Sequence, residues 1–115
     1  MINYESVLFN EIASIMRDIV TGKIDELEKQ GKLGPMTSED ILRELSGYGG
    51  QLTEASIDDY RTSFDYIGID NTNRYMVYLD FWIDRVRSDL TLICEIGIDE
   101  RGGIEFSYVE DIHVL

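Results

Sequence analysis

Tyr75-Met76-Val77-Tyr78-Leu79-Asp80-Phe81-Trp82-Ile83 decides the fold. Tyr75, Val77, Leu79, Phe81 and Ile83 alternate with Met76, Tyr78, Asp80, Trp82 and Asp84. That is the period of a strand, whose successive side chains point to opposite faces. The next run repeats the pattern: Leu90, Leu92, Cys94, Ile96 and Ile98 alternate with Asp89, Thr91, Ile93, Glu95 and Gly97. Asp99-Glu100-Arg101-Gly102-Gly103 predicts a hairpin turn, and Ile104, Phe106 and Tyr108 continue as a third strand. Strands are expected over about 74–84, 89–98 and 103–109. The links are too short for parallel crossovers, so the sheet should be antiparallel.

Upstream the period changes. Leu8, Ile12, Ile15, Met16 and Ile19 recur at spacings of three and four, predicting a helix over about 4–20 that Gly22 ends. Residues 23–30 suit a short solvated helix turned inward by Ile24 and Leu27, before Gly31 and Gly34-Pro35 break the chain. Thr37-Ser38-Glu39-Asp40 is a start signal: Thr37 can cap, and the acids suit the positive end of a helix dipole. That helix carries Ile41, Leu42 and Leu45 and should stop before Gly47. Residues 51–63 fit a short helix or an acidic loop, leading to a strand at 64–69 and a turn at Asp70-Asn71-Thr72-Asn73. The expectation is one α+β domain over 1–115: helices over about 1–50 packed on an antiparallel meander of three to four strands over about 64–115.

The chain carries 23 Asp and Glu against 10 Lys and Arg, a formal net charge of -13. Such a surface repels nucleic acid and anionic lipid and speeds encounter with basic partners. Acidity also serves solubility alone, so both readings stay open at this point. A hydrophobic fraction of 43% supports a core and argues against disorder. The single Cys cannot form an internal disulfide, which fits a reducing compartment. The N-terminus lacks a basic region and a cleavage site, and no apolar run approaches the ~20 residues of a membrane span. The expected setting is cytoplasm.

Residues with chemical potential are few. His113, the lone histidine, has Asp111 two positions away on the same face if the end is a strand, with no nucleophile placed by sequence to complete a triad. Cys94 shares its face with Leu92 and Ile96 and has no flanking cation, so a buried, inert thiol is expected. Gly47-Tyr48-Gly49-Gly50 lacks the Lys-Ser/Thr and the preceding strand of a phosphate loop and reads as a helix stop. Asp70-Asn71-Thr72-Asn73 lacks the glycine and distal Glu of a calcium loop. Paired carboxylates such as Asp58-Asp59 and Glu110-Asp111 are too common here to signal glycosidase chemistry. No catalytic residue, metal ligand or cofactor is assigned. Between Thr37 and Asp70 eight acids face two bases, which makes Glu54, Asp58, Asp59, Asp65 and Asp70 the expected partner-binding patch. Trp82 is added to it as an aromatic anchor; the competing reading buries Trp82 under a helix.

Phe81-Trp82, Arg87-Ser88-Asp89-Leu90-Thr91-Leu92 and Asp111-Ile112-His113-Val114-Leu115 together resemble a family of small bacterial domains of uncharacterised function, over about residues 75–115. The chain departs from that pattern at Asp84-Arg85-Val86, where a more acidic, glycine-containing turn is expected. The resemblance implies an N-terminal helical part before the strands and transfers no catalytic residue. It leaves Asp89 to bond turn backbone or Arg87, and His113 to bond within the sheet. In kind, the chain is similar to the immunity proteins of contact-dependent growth inhibition and related toxin systems, which are cytoplasmic, single-domain and often acidic against basic nucleases. That likeness implies a non-enzymatic inhibitor whose partner is a cognate toxin domain, bound without nucleic acid or membrane. Rival readings are an acidic interaction or regulatory domain without a toxin, and a hydrolase using Asp or Glu with His113.

Overall fold

The computed structural model describes residues 4–115. Helix α1 spans Glu5–Val20 and buries Leu8, Phe9, Ile12, Ile15, Met16 and Ile19 along one stripe. It ends where Gly22 takes φ 79°. There the Lys23 N–H reaches the Asp18 carbonyl at 2.6 Å and the Gly22 N–H the Ile19 carbonyl at 3.2 Å, the paired bonds of a Schellman close. Helix α2, Ile24–Lys29, ends the same way at Gly31. Helix α3, Ser38–Tyr48, starts on a capping box: the Asp40 N–H donates to Thr37 Oγ1 and the Thr37 N–H to Asp40 Oδ2, each at 3.0 Å. It runs through Gly47, beyond its expected stop, and closes at Gly49, whose φ is 90°. The ambiguous segment after it contains the two-residue strand β1, Leu52–Thr53, and the short helix α4, Ile57–Arg61, capped by Ser56.

Strands β2 (Asp65–Gly68), β3 (Arg74–Ile83), β4 (Val86–Ile98) and β5 (Ile104–Val114) follow. Every pairing is antiparallel, and the architecture is α+β, with helices first and the sheet after. The order is β1-β3-β4-β5, with β2 also paired to β3, so β1 and β2 share one edge of β3. Strands β2–β5 are the four-stranded meander expected over about 64–115, and the two-residue β1 adds a fifth strand to the sheet. Strands β4 and β5 each run longer than their alternation suggests. Register shifts interrupt the β4–β5 pairing at Ile93/Cys94 and Gly97/Ile98, and the β3–β4 pairing between Asp80 and Trp82, without ending the strands.

Helix α1 lies over β3 and β4, and α3 reaches β5. Their apolar stripes meet Val77, Leu79, Phe81, Leu92, Cys94, Ile96, Val109 and Ile112 in one buried cluster. The β3–β4 hairpin turns at Asp84 and Arg85, with φ 52° and 66°. Two positive φ values are what a tight hairpin needs, and Asp enters that region more readily than most residues. Strand β1 braces the turn. The Asp84 N–H donates to the Gln51 carbonyl at 2.8 Å, Asp84 Oδ1 accepts the Gln51 N–H at 3.0 Å, and Thr53 Oγ1 accepts the Arg85 N–H at 3.0 Å. These contacts let the turn form without the glycine that the resemblance calls for.

Candidate binding surface

The sheet face away from the helices is closed by its own side chains. Asp80 accepts Arg87 Nε at 2.9 Å and the Thr91 hydroxyl at 2.8 Å. Glu95 accepts Arg74 Nη1 at 2.9 Å and the Tyr108 hydroxyl at 2.8 Å. Phe106 lies across Gly97, stacks on Tyr108 with centroids 6.0 Å apart, and takes the Arg74 guanidinium 5.0 Å from its own centroid. Thr91, Ile93 and Glu95 are therefore buried, although they alternate with the core-facing residues. Burial, then the bond to Glu95, pushes the Tyr108 phenol up to about 12, so it stays a donor at neutral pH. Arg74 and Arg87 pair within this face while remaining about half exposed.

The groups with chemical potential lie apart from one another. His113 and Asp111 share this face, His113 Nδ1 lying 2.6 Å from Asp111 Oδ2, and both side chains are about half exposed. Asp89 accepts the Tyr48 hydroxyl at 2.7 Å, tying β4 to α3, in place of Arg87 or a turn amide. Cys94 is fully buried; burial, with the nearby Glu11 carboxylate, pushes its thiol far up, and Lys32 opposes only in part. Lys32 Nζ pairs with Glu11 Oε2 at 2.9 Å, and the Ser107 hydroxyl donates to the same oxygen. Among the described residues no group of three or more His, Cys, Asp or Glu is arranged to hold a metal, and no helix is long and apolar enough to cross a membrane.

The expected patch is divided by the sheet. Glu54 turns to the helix side, where it accepts Arg17 Nε at 3.1 Å. Asp58 and Asp59 are exposed on the first turn of α4. Asp65 pairs across β2 with Tyr78 and shares the open face with Asp80 and Trp82. Asp70 is exposed in the β2–β3 turn. Trp82 is half-buried beside Thr53 and across from Arg87, not under a helix, and its indole N–H is buried without a partner among the described residues. Glu54 and Trp82 thus lie on opposite faces, while Asp65 and Asp70 flank the same short strand.

That strand was expected at 64–69; what sequence reasoning passed over is its uncovered edge. All four residues of β2 are exposed, and Tyr66, Ile67 and Ile69 are among the exposed apolar side chains, Ile67 at 60%. Helix α4 and β2 carry mainly acids and uncovered apolar groups. Elsewhere, among the described residues, six of the ten Lys and Arg are held in ion pairs, with Glu54, Glu26, Glu11, Asp40, Glu95 and Asp80. Each such pair uses one acid and one base, so the excess of carboxylates survives folding.

A helical layer on an antiparallel sheet, with an acidic apolar edge beside it, defines a small α+β domain. The chain belongs to the family described as Domain of unknown function (DUF7668), which matches residues 16–115. No curated protein and no solved structure matches it.

Proposed function

We propose that this chain is an immunity-type protein of the cytoplasm that binds and neutralises a basic, nuclease-like toxin domain by covering its active site. The observation that carries this reading is the excess acid of the folded chain: a net charge of -13, with six of the ten bases already paired to carboxylates of the same chain. A nuclease groove is basic because it holds phosphates, and carboxylates can occupy it in their place. Asp58, Asp59, Asp65 and Asp70 supply the steering charge, and the apolar groups of β2 supply the water-excluding contact.

The test is association with the variable C-terminal domain of a large secreted protein encoded beside this chain. Tight binding that abolishes the domain's nuclease activity is expected. Asp58→Lys with Asp59→Lys should slow association and flatten its salt dependence, because exposed charges act mainly on encounter. Absence of binding to any such domain would sink the reading and leave the acidity as a solubility trait.

A further inference from the structure

We propose that the outward edge of β2 is a strand-addition site for a basic, extended segment of a partner protein. This rests on the reading of the chain as a binder of basic proteins, and it specifies how the partner is held.

The register decides which groups are free. The Ile69 N–H donates to the Arg74 carbonyl at 2.9 Å, and Ile67 pairs with Met76 and Asp65 with Tyr78 in the same phase. Backbone groups of an antiparallel strand alternate between its two sides, so those of Tyr66 and Gly68 point away from β3. Asp65 Oδ1 accepts the Tyr66 N–H at 2.8 Å. The Tyr66 carbonyl and both backbone groups of Gly68 have no partner among the described residues. The other edge of the sheet is covered at Val109, whose N–H donates to the Lys32 carbonyl at 2.8 Å.

Gly68 adds an independent observation. Its φ lies outside the left-handed region, and a Cβ there would meet only the Tyr75 ring at 3.6 Å, an ordinary contact. Internal packing does not ask for glycine at this place, where glycine weakens a strand. With no bulge in β2, the close approach of a second backbone is one of the established reasons for such a glycine. Strand β2 carries no Lys, Pro or bulge; its four-residue length and Asp65 are all that blunts its edge.

Charge selects the occupant. Asp65 and Asp70 flank the edge, with Asp58 and Asp59 on the helix before it. A second copy of a chain of net charge -13 would set acids against acids. A segment alternating Lys or Arg with apolar residues would place its cations on the face of Asp65 and its apolar side chains on the opposite face, beside Tyr66.

The probe is a synthetic peptide of about 10 residues alternating Lys with Val, long enough for one strand. Its Glu-Val analogue and a Pro-interrupted form of equal charge serve as controls, titrated into the full chain. Preferential binding of the Lys-Val peptide is expected, with the Gly68 amide newly protected from hydrogen exchange. Gly68→Pro removes an outward N–H and no ladder bond, and its ring blocks approach. It should weaken binding by about tenfold or more, the scale of a lost main-chain bond plus a steric block. Ile67→Lys, an exposed change that leaves the backbone intact, should weaken it too, and serves if Gly68→Pro does not fold. Equal binding by the wild type and these variants, without protection at Gly68, would overturn the edge site while leaving the acidic-surface reading standing. No preference for the Lys-Val over the Glu-Val peptide would overturn both. A wild-type dimer dissociated by Gly68→Pro would assign the edge to a second copy and overturn the basic partner.

Discussion

A side chain at position 97 would have to share space with the Phe106 ring. A Cβ built on Gly97 would overlap that ring, which is held between Tyr108 and the Arg74 guanidinium. Gly97→Ala should therefore cost about 1–3 kcal/mol, the usual scale of overpacking. Phe106→Ala should be partly redundant with it, so chemical denaturation of the two singles and the double will show non-additivity. Strict additivity would mean that the ring does not depend on the glycine. Cys94 makes a second claim at this scale. It is fully buried and its thiol is pushed up, first by burial and then by the Glu11 carboxylate, so little reactive thiolate exists. Maleimide labelling of the native protein should be slow and limited by opening, and fast in denaturant. Rapid native labelling would mean that β4 is exposed at its centre.

Helix α3 depends on its first turn. The Thr37 backbone N–H and hydroxyl bind the Asp40 carboxylate and amide, and Arg43 sits 3.2 Å from Asp40 Oδ1. The Thr37 backbone bond, then the Thr37 side chain, holds the Asp40 carboxyl below its ordinary value of 3.8. A carboxyl depressed on folding adds stability that is complete above its unfolded pKa and lost as pH falls through the folded one. The stability gap between the wild type and Asp40→Asn should accordingly be flat from neutral pH down to about 4 and shrink below it. A gap that widens on acidification would contradict the capping geometry. This start was legible in the sequence because a cap is local chemistry, and so were the long strands, because their alternation is local too. The end of α3 was not: Gly47 carries the breaker signal, yet the helix continues to Gly49, whose positive φ closes it. Nor was the burial of Thr91, Ile93 and Glu95, which depends on Tyr108, Phe106 and Arg74 arriving from neighbouring strands. The acidic segment was visible as composition. That Glu54 is answered by Arg17, 37 positions away, and that β2 has a bare edge are facts of register and topology, which no local pattern carries.

The molecule as a whole measures about 41 × 28 × 22 Å and carries a net charge of -13. At about 0.01 M salt the screening length is about 30 Å, comparable with these dimensions, so nearly every carboxylate feels the rest; at about 0.15 M it falls to about 8 Å. Screening acts on two opposed terms. It relieves the repulsion of the excess acids, and it weakens the ion pairs. The exposed pairs, Arg17–Glu54, Lys29–Glu26 and Arg43–Asp40, are of the kind that contributes little, whereas Lys32–Glu11 is partly buried and least screened. Relief of repulsion should win. The melting temperature of the free chain should rise between these two salt concentrations, while association with a basic partner should slow over the same range, because there the long-range field drives encounter. The two measurements thus move in opposite directions with one variable. A melting temperature that falls with salt would show that the ion pairs outweigh the excess charge. An association rate indifferent to salt would show that the excess charge is not directed at the partner.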